Sequence, residues 1–143
     1  MQAIRSNWFF AATLYGIACL PLLAHGSSVD KRVPGEAVAV ISRVAAAAQK
    51  RDLAKLRPLM TDEFGYVFRS EGDPNRGRDT ADDAMAFWNK HPQLLRKLAR
   101  ATKSSCGRQG QAVICPANAG AGFRAIFEPR NGRWLMTAFL EGD

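Results

Sequence analysis

In the stretch FRAIFEPRNGRWLMTAFLE, residues 123–141, two alternating strands flank a turn. Asn131-Gly132 is typical of a two-residue type I′ turn, which predicts a β-hairpin. The predicted opposed pairs are Phe127–Met136, Ala125–Ala138 and Phe123–Leu140. One face of this hairpin is apolar throughout. The other face mixes residue types, which predicts partial cover rather than bare solvent; it carries Arg124, Ile126, Glu128, Leu135, Thr137, Phe139 and Glu141.

Upstream lies CGRQGQAVIC, residues 106–115, whose two cysteines can be metal ligands, a redox pair or a disulfide. A turn at Gly110-Gln111, with glycine first, fits a type II′ hairpin and places Cys106 opposite Cys115. Two cysteines supply half of a tetrahedral zinc site, and a redox pair usually reads C-x-x-C. The pattern therefore favours a Cys106–Cys115 disulfide in an oxidising compartment.

The first half of the domain is predicted to be mostly helical. Apolar residues recur at helical spacing in EAVAVISRVAAAAQKR, residues 36–51. Asp52 caps a short second helix, and Phe64 to Phe68 alternates as a strand. Thr80 with Asp83 resembles a capping box, and Pro92 restarts the chain as a fourth helix. This order predicts an α+β fold in which N-terminal helices pack on a curved antiparallel sheet.

The N terminus has the pattern of a secretory signal peptide. Arg5 precedes an apolar run from Trp8 to Ala24, and small residues follow. Cleavage is expected after Ala24 or Gly26. The alternatives are an uncleaved membrane anchor and a lipoprotein modified at Cys19. The expected organisation is a signal peptide over 1–26, a flexible lead-in over 27–35 and a single domain over 36–143, with a periplasmic or secreted location.

The chain is basic, with 20 Lys and Arg against 13 Asp and Glu and a net charge of +7. Removal of residues 1–26 takes away only Arg5 among charged residues, which leaves +6. Such a charge favours an anionic envelope surface or an acidic protein as neighbour, and export argues against nucleic acid. The basic residues are dispersed, so a solubilising surface is the alternative to a dedicated anion site.

Two segments resemble the NTF2-like superfamily, which includes the SnoaL-like and ketosteroid-isomerase-like proteins. One is KRDLAKLRPLMTDEF, residues 50–64, which is similar to that superfamily's second-helix segment. The other is the ending NGRWLMTAFLEGD, residues 131–143, which is similar to its last strand. The resemblance implies a cone-shaped α+β domain with a pocket between sheet and helices, often in a homodimer. Enzymes and non-enzymes share this fold, so the resemblance does not set the function.

Large side chains on the predicted elements either line such a pocket or form the core of the domain. The candidate pocket residues are Tyr66, Phe68, Trp88, Phe123, Phe127, Trp134 and Met136.

Catalytic groups are hard to find in the sequence. Tyr66 does not match the position of the isomerase-like tyrosine, Glu128 falls on the wrong strand face, and Glu141 lies near the end of the chain. His91 precedes Pro92 without a visible partner for base catalysis. The loop from Asp73 to Asp79 alternates like the start of a calcium loop, but Ala84 stands where glutamate is needed. No catalytic residue, metal or cofactor is predicted.

The sequence thus predicts an exported, non-enzymatic module that binds a small apolar ligand or an envelope protein, with inhibition as one form of that role. A small cone-pocket enzyme, such as an isomerase or hydratase, is the alternative. A pocket filled by side chains favours action through the surface, whereas a buried acid in an open pocket favours the enzyme.

Overall fold

A computed structural model describes residues 33–67, 78–118 and 122–141. The predicted signal peptide, most of the lead-in, Phe68 and the greater part of the calcium-like loop lie outside these residues. The helices are α1 (Gly35–Lys50), α2 (Leu53–Leu56), α3 (Ala81–Lys90) and α4 (Gln93–Lys103), with a 3₁₀ turn at Arg57–Leu59. The strands are β1 (Met60–Val67), β2 (Arg78–Thr80), β3 (Gly107–Gln109), β4 (Ala112–Cys115), β5 (Phe123–Arg130) and β6 (Arg133–Glu141).

Local chemistry sets the helix boundaries. The Asp52 side chain accepts a hydrogen bond from the Lys55 backbone N–H and caps α2. Thr80 and Asp83 form the predicted capping box at the start of α3, where each side chain accepts from the other residue's backbone N–H. At the end of α1, Arg51 adopts a left-handed conformation with a φ of 54°, and its N–H reaches the carbonyl oxygens of the last turn.

The six strands form one curved sheet in the order β2-β1-β6-β5-β4-β3. The sheet is mixed, which corrects the prediction of a purely antiparallel sheet, because β1 and β6 run parallel. Strands joined by tight turns must be antiparallel, as β3–β4 and β5–β6 are. Nearly the whole domain separates β1 from β6, so the connection is long enough for the parallel arrangement. The α+β fold class is confirmed.

The final hairpin contains a β-bulge that the alternation did not reveal. The turn is as predicted, with positive φ at Asn131 and Gly132, and Phe127 pairs with Met136. Thr137 is then an extra residue, so Ala125 pairs with Phe139, and Phe123 pairs with Glu141. The predicted pairs Ala125–Ala138 and Phe123–Leu140 are therefore wrong. A bulge shifts the register by one residue, so the side chains that follow it in the strand point to the opposite faces of the sheet. Phe139 is consequently fully buried.

The hairpin of β3 and β4, which the Cys106–Cys115 disulfide closes, forms as predicted. Gly107, Arg108 and Gln109 pair with Ile114, Val113 and Ala112, and only Gly110 of the two turn residues has a positive φ, as a type II′ turn requires. The Cα atoms of Cys106 and Cys115 are 4.4 Å apart and their sulfurs are bonded. The predicted disulfide is confirmed.

The helices cover one face of the sheet, and the core lies between them. Its largest fully buried side chains are Trp88, Phe64, Phe127, Phe139, Leu56, Leu94, Leu98 and Met136. The opposite face of the sheet, here called the outer face, carries half-buried side chains, as the mixed composition predicted. Within the described ranges, no helix is long and apolar enough to span a membrane.

Candidate functional site

Most of the predicted pocket residues come together in the core between helices and sheet. Tyr66, Trp88, Phe127 and Met136 are buried there. Phe123 and Trp134 are half-buried and pack against the same cluster. Phe68 lies outside the described residues. These side chains belong to the packed interior of the domain, and a ligand pocket lined by them stays a prediction.

Aromatic rings fill the space between α3 and the sheet. Trp88 meets Phe64 edge-on with ring centroids 5.7 Å apart, and it meets Phe139 in the same way at 6.0 Å. All three side chains have no solvent-exposed surface. Such T-shaped packing is favourable and leaves little free volume. The indole N–H of Trp88 finds no hydrogen-bond acceptor among the described residues, which makes it the one polar group of this aromatic cluster without a partner.

A small cleft of about 340 Å³ lies where Tyr66 approaches the surface beside α3. The ring of Phe87 lies tilted against Tyr66 with centroids 5.9 Å apart and stacks on His91 at 4.4 Å, so His91 packs at the end of α3. Asp79 and Asp83 line the cleft. Hydrogen bonds donated by Thr80 lower the pKa of Asp83. Its carboxylate therefore stays ionised and caps α3.

A cleft of about 710 Å³ lies instead on the outer face. We call it the outer trough. Strand β6 forms its floor, β1 one wall, and β5 with the hairpin turn the other. It is lined by Met60, Thr61, Asp62, Glu63, Gly65, Ile126, Glu128, Arg130, Asn131, Leu135, Thr137, Ala138 and Leu140.

Irregular pairing of β1 creates the wall of the outer trough. Met60 pairs with Met136 and Gly65 with Ala138, so the four intervening residues of β1 face a single residue of β6. The chain from Thr61 to Glu63 therefore arches away from the ladder. At Gly65 the strands close again, since a Cβ there would lie 3.2 Å from the Cβ of Ala138. Glycine thus permits the close approach that ends the arch.

Aliphatic side chains form the interior of the outer trough, and charges form its rim. Ile126, Leu135 and Leu140 are half-buried. Three carboxylates stand at the rim, those of Asp62, Glu63 and Glu128, against the single cation Arg130. Arg130 pairs with Glu128. Asp62 pairs with Arg57, so Glu63 is the one carboxylate of the lining without an ion pair among the described residues.

Arg57 links this rim to the helix side of the molecule. Its guanidinium lies 2.8 Å from Asp62 and 2.7 Å from Asp82. The hydrogen bonds that Arg57 donates to Asp62 and to Asp82 raise the pKa of Arg57, and the bond to Asp62 has the larger effect. Asp62 itself is largely exposed, so the pair orients the β1 arch more than it stabilises the fold.

Among the residues that the structure describes, no three His, Cys, Asp or Glu side chains converge to hold a metal ion. The acids of the outer trough are exposed or paired, and a general base needs a positioned partner in a water-excluding site. The arrangement can bind apolar and cationic groups.

Alternation along β5 and β6 indicated that the outer face is partly covered, yet the sequence did not reveal the outer trough. The trough depends on the bulge at Thr137 and on the arch of β1, and both are non-local. The one local signal is Gly65 within a strand, because an isolated strand glycine often marks a bulge or close backbone approach.

Comparison with known proteins yields solved structures only; no protein-family model and no curated protein matches the chain. An NTF2-like protein of unknown function from Burkholderia pseudomallei K96243 is 12% identical, with a TM-score of 0.49 over 76% of this chain and 90% of that one. For an NTF-2 like protein of unknown function from Shewanella oneidensis MR-1, the identity is 12%, the TM-score 0.45 and the coverage 76% and 97%. An NTF2-like protein from Cytophaga hutchinsonii ATCC 33406 is 12% identical, with a TM-score of 0.42 over 73% of this chain and 93% of that one.

At such identities the likeness concerns the fold alone, and no functional argument rests on it. Helices packed on one face of a curved sheet are the architecture that the sequence resemblance implied. These NTF2-like structures are what the chain is similar to in fold.

Proposed function

We propose that the protein is an exported, non-enzymatic binding module that holds an envelope protein on the outer trough. One observation carries this proposal. Among the described residues, fully buried Trp88, Phe64, Phe127 and Phe139 pack between helices and sheet, whereas the outer face keeps a cleft of about 710 Å³. A closed interior favours action through the surface, and a partner would complete the burial of the outer face.

The lining of the outer trough defines the chemistry of the partner. Ile126, Leu135 and Leu140 offer apolar contact area. The exposed carboxylate of Glu63 at the rim favours a partner that presents lysine or arginine beside its apolar side chains. Desolvated apolar contacts supply most of the affinity of such an interface, while rim charges act mainly on association rate and specificity. Inhibition of an envelope enzyme is one form that such binding takes.

A capture experiment with matched variants tests this proposal. Leu135→Arg places a charge on the floor of the outer trough, and Asn89→Arg places the same charge on the exposed surface of α3. Immobilised wild type and Asn89→Arg are expected to retain the same protein from a periplasmic extract, and Leu135→Arg is expected to lose it. Equal retention by all three folded proteins would contradict the proposal.

Light scattering on the purified protein distinguishes a second copy from a foreign partner. A dimer of the wild type that Leu135→Arg converts to a monomer would assign the outer trough to self-association. This homodimer would replace the envelope protein as the occupant.

A small apolar ligand is a second candidate, supported by the unpartnered indole N–H of Trp88, which such a ligand would reach only by displacing the aromatic side chains packed around it. A buried donor without an acceptor is costly, so a ligand carrying one acceptor atom would be stabilised there. Replacing Trp134 by phenylalanine removes most background fluorescence from the domain. A saturable shift of Trp88 emission with a lipid extract would favour this candidate over the protein partner, and an unchanged emission would exclude it.

A further inference from the structure

A groove between α1 and α4 is lined by four cationic side chains and by no acidic one. Arg51 follows the last turn of α1, and Arg96, Arg100 and Lys103 lie along α4. The groove has a volume of about 590 Å³, and Gln49, Ala99 and Ser104 complete its lining. We call it the basic groove. It lies on the helix side of the molecule and is thus separate from the outer trough.

The amphipathic pattern of α4 concentrates these charges. Leu94, Leu95 and Leu98 are buried against the core. Arg96, Arg100 and Lys103 are spaced by four and three residues, which places them in one exposed stripe. Lys103 Nζ donates to Gln49 Oε1 at 2.6 Å and ties α4 to the end of α1. Both walls of the groove are therefore held by regular, packed helices.

Within the described ranges, the arginines of the basic groove have no acidic partner. In residues 33–67, 78–118 and 122–141, no carboxylate lies within ion-pair distance of Arg51, Arg96 or Arg100. Helix dipoles explain part of the pattern, since a cation is favourable at a helix C terminus, where Lys103 stands. They do not explain Arg96, which lies in the first turn of α4, where a cation is unfavourable.

We propose that the basic groove docks the protein on an anionic membrane, with phospholipid headgroup phosphates between the arginine side chains. A guanidinium binds phosphate oxygens through paired N–H donors, and three arginines converge here. Basic residues close to an anionic leaflet attract it within about one Debye length. Docking by the helix side would leave the outer trough facing away from the lipid and open to a protein.

Vesicle co-sedimentation with charge-matched variants tests this assignment. One variant carries Arg96→Gln and Arg100→Gln in the basic groove. The control carries Arg43→Gln and Arg133→Gln, two exposed arginines outside it, and loses the same net charge. All proteins share the same N terminus, and vesicles of phosphatidylcholine alone report any binding by that segment.

The wild type is expected to bind vesicles that contain phosphatidylglycerol and to release them as salt rises. The groove variant should lose about ten-fold or more in affinity, because two basic contacts are removed, whereas the control should lose less than about three-fold. An equal loss in both variants would overturn the proposal in favour of net charge alone. Absence of binding to the anionic vesicles would overturn it outright. Saturable binding of inorganic phosphate without vesicle binding would likewise overturn it and assign the groove to a soluble ligand.

Discussion

Truncation of Phe139 and of Leu140 distinguishes the bulged register of β6 from the regular one. Strict alternation from Met136 would place Leu140 in the core and Phe139 outside. In the structure Phe139 has no exposed surface and contacts Trp88 and Phe123, whereas Leu140 is half-buried on the outer face. Phe139→Ala should therefore lower the free energy of unfolding by about 3–4 kcal/mol, through lost burial and a residual cavity. Leu140→Ala should lower it by about 1 kcal/mol or less.

Urea unfolding followed by circular dichroism measures both values. A single domain of this size is expected to unfold in one transition, so midpoints and slopes give the free energies directly. The loss from Phe139→Ala is a large part of the roughly 5–15 kcal/mol that stabilises an ordinary domain, yet it leaves the protein folded in water when stability lies within that range. If Leu140→Ala were the more costly change, the bulge at Thr137 and the outer trough built on it would both be wrong.

Three further predictions concern the disulfide, a helix cap and the N terminus. Replacing Cys106 and Cys115 by alanine should lower stability by about 2–3 kcal/mol without changing the fold, since the disulfide closes a short loop; two free thiols in native exported protein would contradict it. Thr80→Ala should cost about 1 kcal/mol near neutral pH. Because Thr80 lowers the pKa of Asp83 below its usual 3.8, ionised Asp83 stabilises the fold above that value, and the difference between variant and wild type should shrink as the pH falls through the lower folded pKa. If the stability difference between Thr80→Ala and the wild type did not change with pH, ionised Asp83 would not contribute to the cap. N-terminal sequencing of exported protein should begin at or near His25 or Ser27, and intact Met1 in the membrane fraction would contradict cleavage.

Features that depend on residues close together in the sequence were predictable. Asn131-Gly132 and Gly110-Gln111 determine their hairpin turns through the φ values that they allow. Thr80 with Asp83 marks the start of α3, and the hairpin register brings Cys106 to Cys115. In each case the responsible residues lie within ten positions of one another, so a short window contains the cause.

Features that depend on distant strands were not predictable. The parallel pairing of β1 with β6 joins segments about seventy residues apart, and no local pattern encodes its direction. The bulge at Thr137 falls at the same residue in both pairings of β6, since the ladders to β1 and to β5 both skip Thr137. The outer trough follows from these two features. The basic groove was hidden for a similar reason, because Arg51 and Arg100 are dispersed in sequence and converge only when α1 packs on α4.

Site-specific photocrosslinking in the exporting cell tests most directly whether the protein acts by binding a protein on the outer trough. A photoreactive residue replaces Thr137 on the trough floor, and the same residue at Asn89 on α3 serves as control. The expected result is a covalent adduct with a discrete envelope protein from position 137, lost when Leu135→Arg is added, and none from position 89. Adducts from position 89 alone, or no adduct from position 137 in a folded, exported protein, would contradict binding through the outer trough.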